Sequence, residues 1–190
     1  MIKIAIQKGR IFSILKKKFS KIGFNFNKKS RKLILKSNDG KKKIYFARSA
    51  DLNIVFEKKI SDFFIIGSDT YLENKIKYDF FKLKNFKCKL SIIKKKKGSC
   101  KKKILYTKYP NIIRKKNKYK KFKIVKANGC LELFLKKKAC RYIFDIVDTG
   151  KTIKSNGLKV KKNIKTVYII VVINKGVKKS KINNVMQLLK

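Results

Sequence analysis

DIVDTGKT, residues 145–152, is the stretch on which the reading of this chain turns. It ends in the Gly-Lys-Thr of a nucleotide-binding P-loop. That loop needs another glycine five residues earlier, so that bare backbone N–H groups can wrap the phosphates. Here the position is Asp145, whose carboxylate would repel phosphate, so the stretch is not a P-loop. What remains is an apolar strand, YIFDIV (142–147), ending near two acids, Asp145 and Asp148, and turning through Thr149-Gly150-Lys151-Thr152 into a helix. A strand end that feeds a helix start presents unpaired N–H groups and a favourable dipole, a ready phosphate cradle. Gly150 lets the backbone curl, and the two threonine hydroxyls add donors. The acids cannot face phosphate, but they can accept hydrogen bonds from ribose hydroxyls. The combination suits a sugar phosphate. The plainer reading of the same residues is an ordinary strand, turn and helix capped by Asp or Thr.

Outward from this turn, strand-like and helix-like segments alternate, which argues for an α/β fold. IKIAI (2–6) and DFFIIG (62–67) read as buried strands. Between them, residues 10–22 put Ile11, Ile14, Leu15 and Phe19 on one helical face. Strands at 33–35 and 43–48 flank the turn Ser37-Asn38-Asp39-Gly40, a helix is expected over 49–59, and Ser68 or Asp69 is placed to cap a short helix. Further strands are expected at 87–93, 103–108, 121–126 and 142–147, with helices after Pro110 and over 131–138. A polar stretch then leads to VYIIVVI (167–173) and a last amphipathic helix over 177–188. This rhythm divides the chain into one lobe of residues 1–85 with 164–190 and a second of 86–163, with a cleft between them as a place for a small molecule.

Composition excludes several function classes. There is no histidine, and the four cysteines form no C-x-x-C pair, so a zinc site and a Ser-His-Asp triad are both disfavoured. No run approaches the roughly 20 apolar residues of a membrane span. The N-terminus MIKIAIQKGR is charged too early for a signal peptide, so a cytoplasmic location is expected. The net charge of +45 invites a nucleic-acid reading. Yet Lys, Ile, Asn, Phe and Tyr, the residues of A/T-rich codons, make up 113 of 190 positions, and the lysines are scattered along the whole chain. Genome composition accounts for the charge without a selected RNA partner. Against this background the five arginines and ten acids carry more information than the lysines. Arg10 and Arg48 each follow an expected strand, where α/β sheets place ligands.

Six segments taken in order resemble the short form of the ATP phosphoribosyltransferase family, nearly end to end. They are IAIQKGRI (4–11), SRKLIL (30–35), the 47–69 stretch from ARSAD to GSD, TKYPNI (107–112), NGCLE (128–132) and FDIVDTGKTIKSNGL (144–158). Phe64 and Lys59 stand where the family commonly has glycine, and Arg141 where it has an acid. The resemblance implies two α/β lobes like periplasmic binding proteins of type II, with the active site in the inter-lobe cleft. It implies that N1 of ATP attacks C1′ of phosphoribosyl pyrophosphate (PRPP) and expels magnesium pyrophosphate, with Mg²⁺ as the accompanying ion and no protein metal site. By the resemblance, PRPP is expected on Glu132, Asp145, Asp148, Thr149, Gly150, Lys151 and Thr152. The catalytic cations are expected to be Arg10, Arg31 and Lys32, with Lys8, Gly9, Arg48, Asp69 and Tyr109 on the ATP side. It further implies a homodimer that joins a regulatory subunit similar to histidyl-tRNA synthetase in a hetero-octamer. A two-lobed binding protein without turnover and a basic RNA-binding protein are the alternative readings.

Overall fold

The computed structural model describes residues 1–26, 32–48, 51–97 and 100–189. In chain order the elements are β1 (Ile2–Gln7), α1 (Arg10–Lys21), β2 (Ile34–Lys36), β3 (Lys42–Ala47), α2 (Leu52–Glu57), β4 (Phe63–Gly67), α3 (Ser68–Glu73), β5 (Phe80–Lys95), β6 (Ile104–Thr107), α4 (Pro110–Arg114), β7 (Lys123–Lys126), α5 (Glu132–Lys136), β8 (Tyr142–Val147), α6 (Lys151–Ser155), β9 (Leu158–Ile173) and α7 (Lys179–Leu189). A 3₁₀ turn spans Asn117–Tyr119. The chain forms two compact units. Unit 1 is Met1–Tyr71, Ile76–Phe86 and Ile169–Lys190, and unit 2 is Leu72–Lys75 and Lys87–Tyr168. No helix among the described residues is long and apolar enough to cross a membrane.

In unit 1 the strand order is β2-β3-β1-β4-β9-β5. β1 runs parallel to both neighbours, with Ile4 opposite Ile44 and Phe63. All five residues of β4 are buried, as a parallel strand covered on both faces requires. β9 closes antiparallel on β4, with Ile65 opposite Val171. One core gathers Ile4, Ile6, Ile65 and Val171 with Leu15 and Phe19 of α1 and Val185 and Leu189 of α7, while Ile11, Ile14, Val177 and Ile182 pack around it. The helical spacing read from the sequence therefore marks the buried face. Two polar contacts tie the ends of the unit together. The Lys18 ammonium donates to the Leu189 carbonyl at 2.8 Å, and Asp62 accepts the Lys3 N–H at 2.8 Å with Lys181 3.2 Å away. The expected turn at 37–40 joins β2 to β3. Hydrogen bonds from Lys42, Ser37 and the Lys41 N–H hold the Asp39 carboxyl well below the usual carboxylate range.

In unit 2 the order is β9-β5-β8-β6-β7. β6 runs parallel to β7 and to β8, and β5 runs antiparallel to β8. β8 alternates between two cores. Tyr142 and Phe144 enter a cluster with Leu90, Leu105, Ile113 and Tyr119, and Ile143 enters one with Leu131, Leu135, Ile153 and Leu158.

Three expectations need correction. β5 begins at Phe80, not near residue 87, and β9 begins at Leu158, not at 167. The backbone ladder between these two strands is tied at one end by Ile173 N–H to Asp79 O (2.8 Å) and at the other by Lys96 N–H to Gly157 O (3.1 Å). The first half of β9 is largely exposed and lysine-rich, so it carries no apolar pattern to read. Finally, Ser68 opens α3 instead of capping it, and Asp69 lies in the first turn. The helix expected over 49–59 is α2, while residues 49 and 50 lie outside the described residues.

Three helices end on a lysine in the left-handed region: Lys59 (φ 49), Lys75 (φ 53) and Lys138 (φ 53). Each is followed by a bond back five residues, from Ile60 to Val55 (3.3 Å), Ile76 to Tyr71 (3.0 Å) and Ala139 to Phe134 (2.9 Å). This is the Schellman ending, which favours glycine because an L side chain is strained there. Replacing each lysine by glycine should raise unfolding free energy by roughly 0.5–1 kcal/mol, the relief of strain less the entropy of glycine. Urea unfolding of the triple variant should show a higher midpoint at unchanged slope. An unchanged or lower midpoint would contradict the assigned strain.

Candidate active site

Because β6 is parallel to both β7 and β8, the C-terminal ends of these strands lie at one edge of unit 2. The segments that leave that edge are Lys108–Asn111, Asn128–Glu132 and Asp148–Thr152. Ligands in α/β sheets bind at such edges. Thr107, the last residue of β6, is fully buried and fixes the edge. Its hydroxyl donates to the Phe144 carbonyl at 2.7 Å and accepts the Tyr109 N–H at 2.9 Å. The Tyr109 ring then packs edge-on against Phe144, with centroids 6.3 Å apart. Next along β8, Asp145 folds one oxygen back onto the Ile146 N–H (2.8 Å) and points the other toward Lys108 at 3.9 Å.

The Thr-Gly-Lys-Thr turn follows directly. Gly150 is the N-cap of α6 and sits at φ 72, a left-handed conformation that suits glycine. A glycine cap offers no side chain to the first-turn N–H groups, and Thr149 reaches only the Lys151 N–H, at 3.4 Å. Gly150 thus caps α6 without a side chain, and Lys151 and Thr152 in its first turn are exposed. Asp148 and Thr149 are exposed as well. Glu132 lies half-buried in the first turn of α5, on the segment that follows β7.

Unit 1 repeats the arrangement. β1 is parallel to β3 and β4, so the residues after these strands share an edge. Lys8, Gly9 and Arg10 follow β1, with Gly9 as the N-cap of α1. The Lys8 N–H donates to Ala47 O at 3.3 Å, and its ammonium lies 5.8 Å from the centre of the Phe46 ring. Arg48 follows β3, and Lys32 precedes β2, which runs antiparallel to β3 and so starts at the same edge. Asp69 follows β4 and is 5% exposed, against the exposed Lys8, Arg10, Lys32 and Arg48. Its carboxylate folds over Gly67 so closely that a Cβ there would stand 2.0 Å from Oδ1, so the glycine is what lets Asp69 sit there. Arg31 lies outside the described residues.

Sequence reasoning does not single out Lys108, which nothing distinguishes among fifty lysines until β6 is placed beside β8. It also misses Glu73. That buried carboxylate accepts the N–H groups of Asn111 (3.0 Å) and Ile112 (3.1 Å) and so anchors the start of α4 behind Tyr109. Among the described residues no three His, Cys, Asp or Glu side chains are grouped to hold a metal ion.

Residues 48–190 match the family model HisG, described as ATP phosphoribosyltransferase. The ATP phosphoribosyltransferase of Clostridioides difficile (strain 630) is 35% identical over 97% of this chain and 95% of that protein. The chain belongs to the ATP phosphoribosyltransferase family. In fold it is similar to the ATP phosphoribosyl transferase (HisG:HisZ) complex from Thermotoga maritima, at TM-score 0.79 and 24% identity over 100% of this chain and 96% of that one. It also shares its fold with the periplasmic VFT2 domain of BvgS from Bordetella pertussis, at TM-score 0.62 and 8% identity, covering 99% and 86%. The α/β architecture like periplasmic binding proteins is thereby established. The departures from the family pattern are absorbed differently. Phe64 is fully buried opposite Val172, Arg141 lies over the Tyr142 ring at 5.7 Å, and Lys59 carries the strained φ.

Thr107→Val should cost about 2 kcal/mol, because it leaves a buried carbonyl and a buried N–H without their partner. It should also loosen Tyr109 and Lys108. Urea unfolding combined with amide exchange at Tyr109 checks this, and an unchanged midpoint would count against the role given to the hydroxyl.

Proposed function

We propose that this chain catalyses the ATP phosphoribosyltransferase reaction, the first step of histidine biosynthesis. N1 of ATP attacks C1′ of PRPP, the C1′–O bond breaks, and its electron pair leaves with pyrophosphate, giving N1-(5-phosphoribosyl)-ATP. The observation that carries the reading is the Asp145–Thr152 turn in a member of this family. A left-handed glycine cap and an exposed helix start follow a carboxylate that already engages a lysine. In this reading Thr149, Gly150, Lys151 and Thr152 take the 5′-phosphate, while Asp145, Asp148 and Glu132 take the ribose side. Lys8, Arg10, Arg31 and Lys32 stabilise phosphate charge, including that developing on pyrophosphate, and Gly9, Arg48, Asp69 and Tyr109 serve ATP. None of these roles needs imidazole, which the chain lacks.

Mg²⁺ enters as part of the substrate, bound to PRPP and then to pyrophosphate, where it neutralises the leaving charge. The residues present fit that mode better than a resident metal site. Magnesium carried on phosphates needs only one or two protein carboxylates, and the described residues offer no larger group. We place the chain in the cytoplasm with its phosphorylated substrates. We further propose a homodimer that assembles with a regulatory subunit similar to histidyl-tRNA synthetase into a hetero-octamer. The solved Thermotoga maritima relative, a HisG:HisZ complex, supports this assembly.

Incubated with ATP, PRPP and Mg²⁺, with pyrophosphatase pulling the reaction forward, the chain should form phosphoribosyl-ATP, and a short-form regulatory subunit should stimulate it. A folded chain that forms no product with or without a cognate subunit would refute the activity. Thr149→Ala with Thr152→Ala should weaken PRPP binding by about tenfold or more while leaving the unfolding midpoint within about 0.5 kcal/mol of its original stability. Unchanged PRPP affinity would remove the phosphate from this turn.

A further inference from the structure

Unit 2 holds a cavity of about 500 Å³ whose wall includes Lys115, Lys116, Lys118 and Lys162, together with Asn117 and Tyr119. None of its described lining residues is acidic. Three of the lysines lie on the 3₁₀ turn after α4 and its approach, and the fourth lies on β9. Like charges held this close repel one another, and a concave wall of one sign focuses the field on whatever enters. Lysine presents compact point charges, which suit phosphoryl oxygens without demanding the planar fork of arginine. Behind the wall, in the core with Phe122 and Tyr142, lies an unpaired hydroxyl. Tyr119 is 3% exposed, and its hydroxyl is buried with no hydrogen-bond partner among the described residues, whereas the Tyr142 hydroxyl takes a hydrogen bond from Lys161. Buried hydroxyls are rarely left unpaired.

The cavity is not the Thr-Gly-Lys-Thr turn. Tyr119 and the lining residue Ile164 belong to the core on the Tyr142 and Phe144 face of β8, whereas α6 packs Ile153 into the core on the Ile143 face. Along β8 the cavity lies toward Tyr142 through Phe122, whose ring centre is 6.1 Å from that of Tyr119 and 5.3 Å from that of Tyr142. Tyr142 opens β8 and the turn follows its last residue, a separation of roughly 17–20 Å for a strand of this length.

We propose that this cavity is a second anion site on unit 2, for a condensed phosphate of two or more phosphoryl groups. Its volume suits a small ligand of that class. The probe is inorganic tripolyphosphate, added to the whole chain at moderate salt to suppress diffuse adhesion. Lysines are then acetylated briefly with an N-hydroxysuccinimide ester and quantified by mass spectrometry. Lys115, Lys116, Lys118 and Lys162 should be protected about threefold or more, and the exposed Lys17, Lys58, Lys178 and Lys179 should not change. Uniform protection, or none at the cavity, would overturn the proposal. As a second measurement, glutamine at the four cavity lysines in the Thr149→Ala, Thr152→Ala background should weaken tripolyphosphate binding about tenfold. Glutamine at the four control lysines should leave it unchanged, and equal losses in the two variants would also overturn the site. Neither readout uses the transferase reaction, so failure here and failure of the proposed activity are separable.

Discussion

Parallel strand pairing is the constraint on which the rest of this chain depends. In each unit one strand lies between two parallel neighbours, β1 between β3 and β4 and β6 between β7 and β8. A parallel ladder delivers the C-terminal ends of its strands to one edge, and the chain must leave that edge by a crossover. Residues far apart in sequence, such as Lys8, Arg48 and Asp69, or Lys108, Glu132 and Thr149, are thereby placed on shared edges before any side chain makes a contact. Thr107 and Gly67 then refine the edges, one by bridging two strands and the other by making room for a carboxylate.

With ten acids against 55 basic residues, the placement of carboxylates is informative. Asp39, Asp62, Glu73 and Asp145 each accept a backbone N–H, and Asp39, Asp62 and Asp145 also engage a lysine. The scarce negative charge thus sits at a hairpin, at a strand entry, at the start of α4 and just before the Thr149–Thr152 turn. The surplus lysines are mostly solvated, where mutual repulsion is weak at physiological salt and grows as screening is removed. The left-handed lysines at three helix ends point the same way, to residues set by composition where local geometry would choose glycine.

Legibility in the sequence follows burial. β1, β4, β8 and the apolar half of β9 are readable because strands covered on both faces become continuous apolar runs. The early half of β9 is not, because its pairing is a matter of backbone hydrogen bonds, and a lysine-rich exposed strand resembles a loop; the early half of β5, by contrast, carries an apolar alternation at Phe81 and Leu83 that marks its core face. The Asp145–Thr152 turn is readable because glycine and acids are rare here, and Gly150 does adopt the conformation the turn requires. Lys108 and Glu73 escape for opposite reasons. A lone lysine in the sequence is too common to carry information until the fold groups it with others, and the bond from Asn111 to Glu73 spans 38 residues that no local pattern connects.

The discontinuity of unit 1 sets an order of assembly during synthesis. Nearly all of unit 2 lies within residues 87–168 and can close once that stretch leaves the ribosome. Unit 1 cannot. Its core waits for Val171, Val185 and Leu189, and until β9 arrives β4 presents an apolar, unpaired edge. For the time it takes to make a hundred further residues, on the order of 5–20 s, the first half of the chain exposes an aggregation-prone edge of the kind chaperones cover. β9 ends the exposure of that edge, and α7, docked by Lys18 onto α1, then latches the core shut.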